Sequence, residues 1–227
     1  MGALFSKKKL CWVPDHRKLE DLIDDSQRWK TAVDMTGWQI QSSLTDRFSS
    51  QMIESRGTVE VNLSFNGLGD DECDELAKVI KQSKTIKRLI LENNHIHEKG
   101  AQALAQALTP ETGKEDPHLE VLVLRNNSIG SEGATAISQA LTCNRTLRKV
   151  DMYWNNIGNK GLEAICNTLR PDFPRDFVLD VRYNGYDVDD TSIDWQEMMK
   201  KVNQSNINLE GTSGPTLLGH PLAYRCT

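Results

Sequence analysis

Apolar positions recur along this chain in a unit that repeats. In Leu119-x-x-Leu122-x-Leu124-x-x-Asn127-x-Ile129, the alternation across Leu122 and Leu124 predicts a short strand with one buried face. Gly130 and Gly133 follow, and predict a tight turn into a helix. That helix keeps Ala136, Ile137, Ala140 and Leu141 on one face, the spacing of a buried stripe. The same unit reads IKRLILENNHIHEKGAQALAQAL from Ile86 and LRKVDMYWNNIGNKGLEAICNTL from Leu147, with weaker copies from Val59 and Asp176. Its anchoring asparagines are Asn66, Asn94, Asn127, Asn155 and Asn184, spaced by 28, 33, 28 and 29 residues. The long interval holds a polar insert between Pro110 and Pro117, which reads as a surface loop. Each asparagine amide can meet backbone groups of adjacent turns where the chain leaves the strand. One unit cannot cover its own apolar face, so neighbours must stack. Five parallel strands are expected, centred near Val61, Leu89, Leu122, Val150 and Leu179.

This Leu-x-x-Leu-x-Leu-x-x-Asn-x-Ile/Leu core with a 28/29-residue period resembles leucine-rich repeats of the ribonuclease-inhibitor type. The resemblance covers about residues 58–204 and implies an α/β, right-handed solenoid, with parallel strands on the concave face, helices outside and a helical N-terminal cap. Related arrays occur in innate-immune receptors, in Ran GTPase-activating proteins and in tropomodulin-like actin cappers, so regulation of a small GTPase or actin capping are the alternatives it implies. The matched residues are core residues, and they say little about a partner. Glu72 stands where the second glycine of the first unit would be, and His97 replaces the first glycine of the next. The last unit ends in Tyr186-Asp-Val-Asp-Asp190, as a degenerate terminal repeat would.

Outside the repeats, Leu19, Leu22, Ile23 and Trp29 fall near helical spacing between Pro14 and Val33, and Leu44, Phe48, Met52 and Ile53 share a second helical face. Residues 14–57 therefore read as a helical cap over the first repeat. Ile193, Trp195, Met198, Met199 and Val202 read as a closing helix, and residues 205–227, with no period, as a flexible tail.

Residues 1–13 change the functional picture. Met1-Gly2-x-x-x-Ser6 fits N-myristoylation at Gly2, and Lys7, Lys8 and Lys9 follow at once. One myristoyl chain holds a membrane only marginally, so a basic patch is the expected second signal, acting on anionic lipids. Cys11 stands where palmitoylation would add a third. The expected location is the cytoplasmic face of a membrane, as a peripheral protein. The five scattered cysteines form neither a disulfide framework nor a zinc pattern, and no stretch reads as a secretory signal, which also points to the cytosol. With 27 basic against 32 acidic residues and a formal net charge of −5, broad nucleic-acid binding is not expected. A monomer is.

Catalytic motifs are weak throughout. His95-Ile-His97 lacks a spaced third metal ligand, and the acidic run Asp187–Asp190 lacks the glycine and closing glutamate of a calcium loop. No catalytic residue, metal or cofactor is expected, and the chain reads as a non-catalytic interaction scaffold. The concave face is the candidate site. By strand register its columns run Asn62, Ile90, Val123, Asp151, Asp180, then Ser64, Glu92, Arg125, Tyr153, Arg182, then Phe65, Asn93, Asn126, Trp154, Tyr183. Ile90, Val123, Arg125, Tyr153, Trp154, Arg182 and Tyr183 are the expected partner-binding set, because exposed apolar, aromatic and arginine side chains dominate protein interfaces.

Overall fold

A computed structural model describes residues 11–12, 31–40, 46–113, 115–168, 177–187, 190–191, 194, 196–197 and 200. Of residues 11–12 and 46–47 it describes the backbone alone. Among the described residues, seven strands form a single parallel sheet in chain order: β1 (Cys11–Trp12), β2 (Ala32–Asp34), β3 (Glu60–Asn62), β4 (Arg88–Ile90), β5 (Val121–Val123), β6 (Lys149–Asp151) and β7 (Val178–Asp180). Helices α1 (Asp46–Glu54), α2 (Asp70–Gln82), α3 (Glu98–Leu108), α4 (Gly130–Cys143) and α5 (Gly158–Thr168) follow β2 to β6 in turn and pack in sequence against one another. A strand feeding a crossover and then a parallel neighbour, repeated in one direction, is a solenoid.

Register explains the core. Val33, Val61, Leu89, Leu122, Val150 and Leu179 lie side by side across six strands, and none is more than 2% exposed. Two residues on, Met35, Leu63, Leu91, Leu124, Met152 and Val181 form a second buried row. The intervening residues point the other way, which is the period-2 consequence of strand geometry.

The sheet is longer than the repeat pattern implies. Five strands starting near Val61 were expected, and β1 and β2 precede them. Ala32–Asp34, inside the stretch 14–57 read as a helical cap, form β2. The turn it begins has the alternation Val33/Met35 but no ladder asparagine of its own, which is why it escapes the pattern. Asn66 serves it from the next turn, donating to Met35 O (2.9 Å) and accepting from Ile40 N–H (3.3 Å). Phe48 and Met52 of α1 are buried in the same core as Val61 and Leu63. Leu19, Leu22, Ile23, Trp29 and Leu44 lie outside the described residues, as do Ile193, Trp195, Met198, Met199, Val202 and the stretch 205–227.

The two glycines of the repeat do different jobs. Gly130 has φ +66°, the left-handed turn that enters α4. Gly133 was read as part of that turn, but it sits in the first turn of α4, against α3: a Cβ there would lie 2.8 Å from Ala101 Cβ and 2.6 Å from Ile129 Cγ2. The departures from the glycine pattern are also explained. Glu72 accepts a hydrogen bond from Gly69 N–H (2.7 Å) at the start of α2. Asp70 Oδ1 accepts from His97 N–H (2.8 Å) and Gly100 N–H (2.9 Å), so a carboxylate of one repeat caps the next helix. The insert after α3 is tied back to α2 by Lys81–Glu111 (3.0 Å), with a Lys84–Glu115 pair beside it.

Helix propensity alone would make Gly133→Ala stabilising by about 1 kcal/mol. The close approach decides the sign instead, and we expect a loss of roughly 1–3 kcal/mol by denaturant titration. A gain would show that α3 and α4 can move apart freely.

Candidate functional site on the concave face

The site grows out of the turn that ends each strand. There the ladder asparagines are buried: Asn66, Asn94, Asn127, Asn155 and Asn184 are at most 7% exposed. Asn127 shows the arrangement. Its Oδ1 accepts from Ile96 N–H (3.1 Å), and its Nδ2 donates to Leu91 O (2.9 Å) and Leu124 O (3.0 Å). Each amide so joins its own turn to the preceding one.

The residue just before each asparagine takes a left-handed backbone. Asn93 (φ 54°) and Asn126 (φ 49°) fit this readily, and their side chains are hydrogen-bonded to each other. Phe65 (φ 59°), Trp154 (φ 56°) and Tyr183 (φ 57°) adopt the same conformation, which is unfavourable for bulky side chains. These three are the exposed large hydrophobics of the described residues, at 56%, 58% and 60%. Exposed aromatic rings thus stand at a backbone position that asparagine occupies more readily.

At the β6–β7 end these positions converge. The Tyr153 ring lies 5.0 Å from Tyr183 and 6.4 Å, edge-on, from Trp154. Arg125 stands over the Tyr153 ring at 4.7 Å and Arg182 at 5.7 Å. Glu92, Asn93 and Asn126 complete the lining of an open pocket of about 540 Å³. Beneath it, Asp151 and Asp180 are paired in register and buried, at 3% and 2% exposure. Asp151 Oδ1 lies 3.2 Å from Arg125 Nε, and Asp180 Oδ1 accepts from Arg182 Nε–H at 2.9 Å. Burial pushes the Asp151 carboxyl above the usual range; Arg125 pulls it down and Asp180 adds to the rise. The Asp180 hydrogen bond raises Arg182 further, so this guanidinium stays charged.

Of the residues singled out from sequence, Arg125, Tyr153, Trp154, Arg182 and Tyr183 therefore meet in one place. Ile90 and Val123, expected to be exposed, are half-buried on the central strands and do not line the pocket. Phe65 is an exposed aromatic that the expected set omits, although its register with Trp154 was visible. Asp151 and Asp180 were placed in a column but given no role; the Asp-x-Arg spacing of 180 and 182 was the available signal. Gly2, Lys7, Lys8 and Lys9 lie outside the described residues, and Cys11 is described only as backbone in β1. His95 and His97 are exposed at the α3 entry, and no group of three metal-ligating side chains occurs among the described residues. Burial pushes the Cys73 thiol well up, with Asp70 adding to the shift, so it stays protonated.

Stacked strand–turn–helix units joined by buried asparagines define a leucine-rich repeat protein of the ribonuclease-inhibitor type, and the chain is one. A Leucine Rich repeat family model matches residues 82–105, 115–138 and 143–166. Mouse (Mus musculus) ribonuclease inhibitor is 29% identical over 110 residues, which is 48% of this chain and 23% of the relative. The chain thus spans about a quarter of the curated relative it matches. Among solved structures, leiomodin-1 actin-binding site 2 superposes with a TM-score of 0.54 at 22% identity, over 65% of this chain and 83% of that one. The tropomodulin C-terminal domain of Caenorhabditis elegans gives 0.49 at 12% identity, over 67% and 91%.

Replacing Trp154 by Asn, the residue used at 93 and 126, relieves the left-handed strain and gives up little burial. We expect the midpoint of thermal unfolding to rise, with a gain of up to about 1 kcal/mol. A fall would mean that packing, not function, holds Trp154 there.

Proposed function

We propose that this chain is a non-catalytic protein-binding scaffold that takes its partner at the Tyr153–Trp154–Tyr183 end of the concave face. The observation that carries the reading is the exposed aromatic cluster, held in strained backbone and braced by two arginines that buried carboxylates orient. Aromatic and arginine side chains are the usual energetic centre of protein interfaces. A protein-binding use of the repeats also agrees with the name of the mouse relative, an inhibitor of ribonuclease.

The proposal extends to the N-terminus. Myristate on Gly2, with Lys7 to Lys9 meeting anionic headgroups, would hold the scaffold on the cytoplasmic face of a membrane. Without those lysines the charge would be 24 − 32 = −8, repelled by such a leaflet.

One experiment addresses both halves: capture of partners from native cells by the full chain, with fractionation into membrane and soluble material. Tyr153→Ala with Trp154→Ala should weaken capture by about 2 kcal/mol, roughly 30-fold, with the circular dichroism of the fold retained. Gly2→Ala should move the protein to the soluble fraction without affecting capture. Unchanged capture by the double variant would place the binding site elsewhere. Mass spectrometry finding an unacylated Gly2 or a retained Met1 would end the membrane half.

A further inference from the structure

The charged groups under the aromatic cluster are not equally presented to a partner. Side-chain exposure is 34% for Arg125 against 4% for Asp151, and 20% for Arg182 against 1% for Asp180. The carboxylates form the floor and the guanidinium groups lie above them. Each arginine is held along one edge. Arg125 turns Nε toward Asp151, as an ion pair without hydrogen-bond alignment, and Arg182 gives Nε and Nη2 to Asp180. A guanidinium carries five N–H donors in a rigid fork. Both Nη groups of Arg125 and Nη1 of Arg182 have no acceptor among the described residues. Both forks lie against the same Tyr153 ring, which limits their freedom to turn away.

Arg125, Arg182 and Lys149 match Asp151, Asp180 and Glu92 in number, so the patch is neutral by count. By presentation it is not, because two of the three acids are already covered. Glu92 is the exception: it is half-buried, lines the same pocket, and its carboxylate has no partner among the described residues. It opposes any anion that approaches from the Arg125 side.

We infer that the partner segment bound here carries a carboxylate next to an apolar residue, the carboxylate seating on the outer edges of Arg125 and Arg182 and the apolar residue on Trp154 and Tyr183. This rests on the concave face being the binding site, and names the chemistry of what binds. Charge-assisted hydrogen bonds to a guanidinium fork are strong and geometrically selective. A basic segment would meet two arginines and one partly buried glutamate, and is disfavoured. A bare inorganic anion would leave the aromatic wall unused, so a peptide segment is the occupant.

The test uses the full-length chain and three fluorescein-labelled, acetylated five-residue peptides that differ at the middle position: Gly-Leu-Glu-Leu-Gly, its Gln counterpart and its Lys counterpart. Fluorescence anisotropy should rank Glu about tenfold tighter than Gln, with Lys weakest, and the Glu preference should shrink as salt rises. Glu92→Gln should tighten the Glu peptide a few-fold. Arg125→Gln and Arg182→Gln should each reduce the Glu peptide toward the Gln value, and Arg182→Lys should restore only part of it. Because these variants leave a carboxylate unpaired, circular dichroism must show them folded; the three peptides on the unaltered chain need no such control. Equal binding of Glu and Gln, tightest binding of Lys, or no binding of any peptide overturns the inference. If it falls while the Tyr153/Trp154 double variant still loses the native partner, the concave site stands and only its acidic preference is wrong. If the double variant keeps the partner, the site itself has failed.

Discussion

At the ends of β3 to β7 the chain turns away from the sheet, and backbone N–H and C=O groups are left inside without a ladder partner. Buried asparagine amides meet them. Asn184 is typical, accepting from Asn155 N–H (2.6 Å) and donating to Met152 O (3.0 Å) and Val181 O (2.7 Å). A buried backbone group left unpaired costs about 1–3 kcal/mol, and each asparagine attends to three to five backbone groups. No apolar residue of similar size can do this. The amide needs both its donor and its acceptor, which is why one residue type returns at this place in five turns.

The same constraint builds the site. Seating asparagine inward fixes the bend, and the bend puts the preceding residue into left-handed backbone with its side chain turned out. At Asn93 and Asn126 the chain accepts this at low cost; at Phe65, Trp154 and Tyr183 it does so at a higher one. The aromatic rim is therefore a by-product of the ladder, and the arginine–carboxylate pairs of β5 to β7 set the chemistry beneath it. Loops are not needed to position these groups. Every member of the cluster is held within a few residues of a strand.

Much of this was legible in the sequence, for reasons that differ between residues. The strand register of Leu89, Leu122, Val150 and Leu179 follows from period-2 alternation, and stacking from the repeat itself. Tyr153, Trp154 and Arg125 could be brought together because neighbouring repeats differ by a known offset. The turn from Val33 to Ile40 was not legible, since it borrows Asn66 from its neighbour and shows no asparagine of its own. Gly133 was misassigned because sequence shows that a side chain is absent and not what would collide with one. Ile90 and Val123 lie on the same strand face and are half-buried, as Arg125 and Tyr153 are, but stand apart from the aromatic pocket. The left-handed strain at Trp154 and Tyr183 has no sequence signal except comparison with Asn93 and Asn126.

The dependence of the whole array on the asparagine ladder can be measured at its middle rung. Asn127→Ala removes the acceptor of the Ile96 amide and the donor to three carbonyls, so equilibrium unfolding with amide hydrogen exchange reports both the energy and its location. A loss of at least about 2 kcal/mol is expected, with protection falling first at Ile96 and spreading to the repeats on either side. A loss below about 0.5 kcal/mol with Ile96 still protected would contradict it.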